Sequence, residues 1–145
     1  MGKNLKSFRI YLDDIRTPID KDWIVVRNYD EFVKSVTFHG LDSIDCISLD
    51  HDLGDSAMNE YYTNVSPNFS LNYDNISEKT CYDCAKWLVS HFYDGKYNIN
   101  NFPLVYVHSA NPIGSANIMG YINNFLMNER KPQTCVRVRI EHTIG

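Results

Sequence analysis

The sequence predicts one α/β domain, a three-layer sandwich around a mainly parallel sheet of five strands. Three observations predict it. Short apolar runs alternate with segments of helical period, the pattern of strand–helix–strand crossovers. Three of these runs stop at chemistry-bearing residues: 8–12 at Asp13-Asp14, 44–49 at Asp50-His51-Asp52, and 104–107 at His108-Ser109. The length of 145 residues suits a single core.

Residues 8–12 (Phe-Arg-Ile-Tyr-Leu) read as a buried strand. Residues 13–22 are polar and contain Pro18, so a loop or a short turn of helix follows. Residues 23–27 read as the second strand. Asp30 is placed to cap a helix that carries Phe32, Val33 and Val36 on one face and stops at Gly40. Residues 44–49 form the third strand. Residues 55–76 are rich in Asn, Ser and Tyr and keep neither period, which predicts a long loop insertion. Thr80-Cys81-Tyr82-Asp83 is a capping-box start, and Cys81, Cys84, Ala85, Leu88, His91 and Phe92 recur at helical spacing up to Gly95. Residues 104–108 form the fourth strand. A last helix begins at Ser115 or Asn117, with Met119, Ile122, Phe125 and Leu126 inward. Val136, Val138 and Ile140 alternate with Arg137 and Arg139 in an edge strand.

The flavodoxin-like strand order 2-1-3-4-5 sets strands one, three and four side by side. A parallel crossover needs about a dozen residues, and 13–22 barely suffices, so the first helix is expected to be reduced or missing. Open α/β sheets bind ligands at the carboxyl ends of their strands. Asp13, Asp14, Asp50 and Asp52 would then share one rim with His51, His108 and Ser109. Like charges that close need a cation or protons. The oxygen-rich set suits Mg2+ or Mn2+, and the histidines make Zn2+ an option. His108 is a candidate general acid, against the plainer reading of a hydrogen-bonded core histidine. Ser109, Asn111 and the turn to Gly114 are candidates to hold phosphate oxygens at a helix start. Arg16 is placed to clamp a phosphate or to make a surface ion pair. Tyr61, Tyr62, Phe69 and Tyr73 offer rings for base stacking, unless 55–76 is only a surface excursion. Arg137, Arg139 or His142 are further candidates to reach the site.

A formal net charge of -4 argues against long duplex nucleic acid, while a nucleotide or an RNA end needs only a few local cations. No apolar stretch approaches the roughly 18–20 residues of a membrane span, and residues 1–6 lack an apolar leader core. A cytoplasmic location is the expectation, with Cys46, Cys81, Cys84 and Cys135 reduced. One C-x-x-C pair, Cys81/Cys84, is half of a usual zinc set, so helix packing is the expected use.

Leu12-Asp13-Asp14-Ile15-Arg16-Thr17-Pro18, Ile47-Ser48-Leu49-Asp50-His51-Asp52-Leu53-Gly54 and Val107-His108-Ser109-Ala110-Asn111-Pro112-Ile113-Gly114 together resemble the cyclic-phosphate processing receiver domain family. The resemblance implies a receiver-like fold and the handling of cyclic phosphates of nucleotides or RNA ends. It implies site roles for Asp13, Asp14, Arg16, Asp50, His51, Asp52, His108, Ser109, Asn111 and Gly114, with Asn117 and Met119 fitting a trailing pattern. Thr80-Cys81-Tyr82-Asp83 departs from it, because the family tends to have Gly where Cys81 stands. The expected activity is a metal-dependent phosphoesterase. Asp13, Asp14, Asp50 and Asp52 would hold metal, Asp50, His51 and His108 would be catalytic, and Arg16, Ser109, Asn111, Gly114 and Asn117 would bind substrate. The alternatives are a module that sequesters a cyclic nucleotide and a receiver phosphorylated on Asp50, with Ser109 as the switch hydroxyl.

Overall fold

The computed structural model describes residues 8–140. Its centre is a five-stranded parallel sheet in the order β2-β1-β3-β4-β5: β1 (Phe8–Leu12), β2 (Trp23–Val26), β3 (Ile44–Leu49), β4 (Leu104–Val107) and β5 (Val136–Arg137). This is the expected order. The register sets Leu12 beside Leu49 and Leu49 beside Val107. Bonds from Asp50 N to Leu12 O (2.9 Å) and from His108 N to Leu49 O (2.9 Å) extend the ladders one residue further. The residues that follow the three strands therefore emerge in one row.

Ile10, Leu12, Ile47, Leu49, Val105 and Val107 alternate onto one face and are buried. Three helices pack there: α1 (Tyr29–His39), α4 (Cys81–Asp94) and α5 (Pro112–Asn128), through Phe32, Val36, Leu88, Ile118 and Ile122. Burial of such side chains contributes roughly 1.5–3 kcal/mol each and is the main force holding the layer. The opposite face carries Tyr11, Ser48 and Tyr106 in register. Residues 13–22 hold no helix, so the layer on that side is reduced, as the short crossover predicts. Among the described residues no helix is long and apolar enough to cross a membrane.

Several boundaries differ from expectation. Helix α1 starts earlier, because Asn28 rather than Asp30 is its cap: Asn28 Oδ1 accepts from Glu31 N at 2.9 Å. Gly40 ends it at φ 85, a conformation that favours glycine. Helix α5 starts at Pro112, not Ser115 or Asn117, with Asn111 as its cap. Pro at the first helical position loses nothing, since its missing N–H would lack a helical partner anyway. Strand β5 is two residues long, with one further bond from Val138 N to Val107 O. His142 lies outside the described residues. The Thr80 capping box forms as expected. The four cysteines are free and buried, Cys81 and Cys84 on the core-facing side of α4.

The expected 55–76 loop is instead largely helical. It holds α2 (Asp55–Glu60), a π-turn (Tyr61–Val65), α3 (Ser66–Asn68) and a 3-10 turn (Tyr73–Asn75). Polar side chains organise it, which is why no apolar period marks it. Buried Glu60 accepts from Asn72 N (2.9 Å), Asn75 Nδ2 (2.9 Å) and Asn64 Nδ2 (3.0 Å). The Asn72 bond chiefly holds its carboxyl below the usual range. Glu78 accepts from Ser56 Oγ and from Ala57 N (2.7 Å), placing a carboxylate on the first turn of α2.

Candidate functional site

Asp13, Asp50 and His108 stand in one row because the strand register places them there. Asp13 is buried and turns the chain at its own carboxylate. Oδ1 accepts from Ile15 N (3.0 Å) and Arg16 N (2.8 Å), and Oδ2 accepts from Arg16 Nε (2.8 Å). Burial alone would raise its carboxyl, but bonds from His108 and these amides, with the Arg16 charge, hold it far below the usual range. The opposite holds for Asp50. Burial, then the Asp13 charge, pushes it up to about 7. Burial and Asp13 also raise Asp14. One oxygen from each of Asp13, Asp14 and Asp50 lies within 4.8 Å of the others. Arg16 Nη2 is 3.7 Å from Asp50 Oδ1, so its guanidinium spans Asp13 and Asp50.

These carboxylates and Asp52 line one side of a cavity of about 360 Å3, with Arg16 and Ser109 beside them. Ile15, Met58, Tyr61, Tyr62 and Ala110 complete the lining. Ile15 and Tyr62 are largely exposed at 69% and 67%, so apolar surface is offered to whatever enters. Tyr61 and Tyr62 come from the 55–76 segment and meet edge to face at 5.3 Å. That segment is therefore part of the site. Phe69 is exposed and is not among the lining residues.

The remaining expected residues are close by but engaged otherwise. The His108 ring is buried: Nε2 lies 3.3 Å from Asp13 Oδ2, Nδ1 lies 2.7 Å from Ser48 Oγ, and the ring stacks on Tyr11 at 4.3 Å. A carboxylate only accepts, so Nε2 donates to Asp13. The arrangement is that of a hydrogen-bonded core histidine holding a carboxylate, which was the plainer expectation. His51 is fully buried, with Nδ1 2.6 Å from Asp52 Oδ1 and Nε2 2.9 Å from Tyr73 OH. Asp52 stands apart from the three-carboxylate cluster, its Oδ1 shared between His51 and Asn111 Nδ2 (3.3 Å). Asn111 Oδ1 accepts from Gly114 N at 2.9 Å, so its oxygen is a helix cap. Asn117 Nδ2 donates to Tyr73 OH at 3.0 Å. Gly114 abuts the His51 ring. Ser109 is buried, its hydroxyl faces Asp50, and its Oγ accepts from Asn111 N at 3.0 Å.

Sequence reasoning passed over Ser48, Tyr11 and the anchoring role of Tyr73. A serine inside an apolar strand was the available signal for Ser48. Tyr73 pins the 55–76 segment to His51 and Asn117, and burial pushes its hydroxyl up to about 12. Tyr73→Phe leaves a buried imidazole nitrogen short of a partner. The expected cost is about 1–3 kcal/mol, read as a lower urea midpoint at unchanged slope.

A family model described as the cyclic-phosphate processing receiver domain matches residues 8–124. No curated protein and no solved structure gives a significant match.

Proposed function

Because the chain belongs to the cyclic-phosphate processing receiver domain family, we propose that it is a metal-dependent phosphoesterase that opens the cyclic phosphate of a nucleotide or RNA end. One observation carries the reading. Three carboxylates cluster within 4.8 Å on the wall of a cavity that also presents a guanidinium, a hydroxyl and two tyrosine rings. Carboxylates suit the ion, Arg16 and Ser109 suit a phosphate, and the rings suit a base.

The donor set fits a hard divalent cation. Asp50 carries a raised carboxyl beside Asp13, a repulsion that a cation would relieve. Both histidines face carboxylates, so all-oxygen ligation by Asp13, Asp14 and Asp50 favours Mg2+ or Mn2+ over Zn2+. Bound there, the ion would polarise a phosphoryl oxygen and make water a stronger nucleophile. Arg16 offsets charge on the phosphate oxygens. Ser109, whose Oγ accepts from Asn111 N, offers its one hydroxyl proton to the same oxygens. Asp52 lines the cavity with one oxygen held by His51 and Asn111, which suits a general base towards water. His108 is a positioning residue, since it fixes the Asp13 oxygens. Opening adds water across one P–O bond and leaves a monoester and a free ribose hydroxyl.

The test is a nucleoside 2',3'-cyclic phosphate incubated with the protein and Mg2+ or Mn2+, followed by mass analysis. The expected product is the linear monophosphate, with formation stopped by EDTA. Recovery of intact ligand from a stable complex contradicts catalysis and leaves a sequestering module. A second reading rests on the Ser109 hydroxyl that faces Asp50, beside Asp13 and Asp14, the layout of a phosphoacceptor. Acetyl phosphate placing an acid-labile phosphoryl group on Asp50, with no ring opening, is the outcome that favours it.

A further inference from the structure

A second cleft, of about 670 Å3, adjoins the acidic cavity across Arg16, Ser109 and Ala110, which line both. Its charge is opposite. Among the described residues, Arg16, Arg137 and Arg139 line it and no carboxylate does. The contrast is marked in a chain whose net charge is -4. Among the described residues neither Arg137 nor Arg139 makes an ion pair. Arg137 instead donates through Nε (3.1 Å) and Nη2 (2.7 Å) to Ser109 O, which ties the end of the sheet to the residue that faces Asp50. Arg139 also borders a neighbouring groove that holds Arg9 and Asp45. Both arginines lie beyond residues 8–124, which the family model matches.

We infer that this cleft is a second phosphate subsite, which takes a phosphate one sugar away from the phosphate at the acidic cavity. The inference rests on the cavity being a phosphate site, as proposed above. An acidic compartment that needs a cation suits the reacting group. A basic compartment without carboxylates suits a phosphate that is only held. Arg16, at the shared wall, contacts the first and closes the second. The ligand class is a nucleotide with two phosphates on one ribose unit, supplied either by a mononucleotide with a 5'-phosphate or by the phosphodiester that precedes a strand's last nucleotide.

The probes are adenosine 3'-monophosphate, adenosine 3',5'-bisphosphate and a diadenosine nucleotide ending in a 3'-phosphate, titrated calorimetrically with Mg2+ present. None carries a cyclic phosphate, so binding is read apart from ring opening. The bisphosphate is expected to bind about tenfold tighter than the monophosphate, the increment of one charge-assisted contact. In Arg139→Ala that ratio falls towards one, and in Arg139→Lys part of it returns. Each ratio is taken within one protein, so a general loss of folding cancels. A dinucleotide sharing the gain identifies a strand end, and a gain confined to the bisphosphate identifies a mononucleotide. A ratio near one in the unaltered protein, a ratio retained in Arg139→Ala, or no binding of any probe overturns the subsite. Failure of the enzyme reading looks different: the bisphosphate gain persists while a cyclic phosphate stays closed.

Discussion

Asp50→Asn should stabilise the metal-free protein above pH 7 and weaken the proposed ring opening. The two effects share one cause. Asp50 is buried beside Asp13, and its carboxyl is pushed from an ordinary 3.8 up to about 7. A raised folded value means that the native state holds its proton where the unfolded chain has lost it. The contribution is fully present below the unfolded value of 3.8 and is lost as pH rises through about 7. Above that, an ionised Asp50 costs the metal-free fold on the order of 2–4 kcal/mol. Asparagine keeps an oxygen for His51 N, which donates to Asp50 Oδ1 at 2.8 Å, and carries no charge. In EDTA at pH 8 the variant should therefore melt higher than the parent by about 5–15 °C, and at pH 4 the two should converge. Added Mg2+ should reverse the order at pH 8, since only the carboxylate gains from a cation. Ring opening by the variant should fall on the order of a hundredfold to a thousandfold, the scale for losing one electrostatic partner of a reacting phosphate. Urea midpoints at the two pH values check the first effect. Identical pH profiles for parent and variant would contradict the role of Asp50.

Gly114→Ala should be the most damaging single methyl in the site. An added Cβ would lie 2.3 Å from His51 Cγ and 2.6 Å from Nδ1. The ring cannot move aside freely, because it is fully buried and bonded at both nitrogens, to Asp52 and to Tyr73. Moving the first turn of α5 instead breaks the cap from Asn111 Oδ1 to Gly114 N. Overpacking costs about 1–3 kcal/mol, and leaving buried polar groups unpaired adds about 1–3 kcal/mol. A loss of roughly 3 kcal/mol or more follows, with the melting temperature lowered by about 6–12 °C. The variant should also loosen the 55–76 segment, visible as faster amide exchange at Tyr73 and Glu60. A melting temperature within two or three degrees of the parent, as an order-of-magnitude bound, means that the contact yields cheaply. In this structure Gly114 serves packing, where the family resemblance implied substrate binding.

How much of this was legible in the sequence depended on which force organises each part. The sheet was legible because buried parallel strands are largely apolar runs, and 8–12, 44–49 and 104–107 are mostly apolar. Given the strand order 2-1-3-4-5, their ends then placed Asp13, Asp14, Asp50 and Ser109 together. The 55–76 segment was not legible, because Glu60 and Glu78 hold it through amides and hydroxyls, and such bonds leave no periodic trace. The histidines were half legible. Their proximity followed from the strand ends, but their partners Ser48 and Tyr73 did not, since side-chain pairing depends on which face each residue takes. Asn111 was placed correctly and its oxygen's role was missed: an Asn before Pro reads as a turn, and here the turn is a helix cap. Arg137 and Arg139 read either as a solvated strand face or as candidates to reach the site, and the pairing of β5 with β4 brings Arg137 to Ser109.

In the proposed function Asp13, Asp14 and Asp50 share one cation at the cavity wall. Electron paramagnetic resonance of Mn2+ titrated into the protein tests it most directly. One tight Mn2+ per chain is expected, lost in Asp50→Asn, displaced by Mg2+, and altered in its spectrum when a nucleoside 2',3'-cyclic phosphate is added. A titration that leaves all the Mn2+ free in solution, or a tight site that survives Asp50→Asn and ignores the cyclic phosphate, would contradict it.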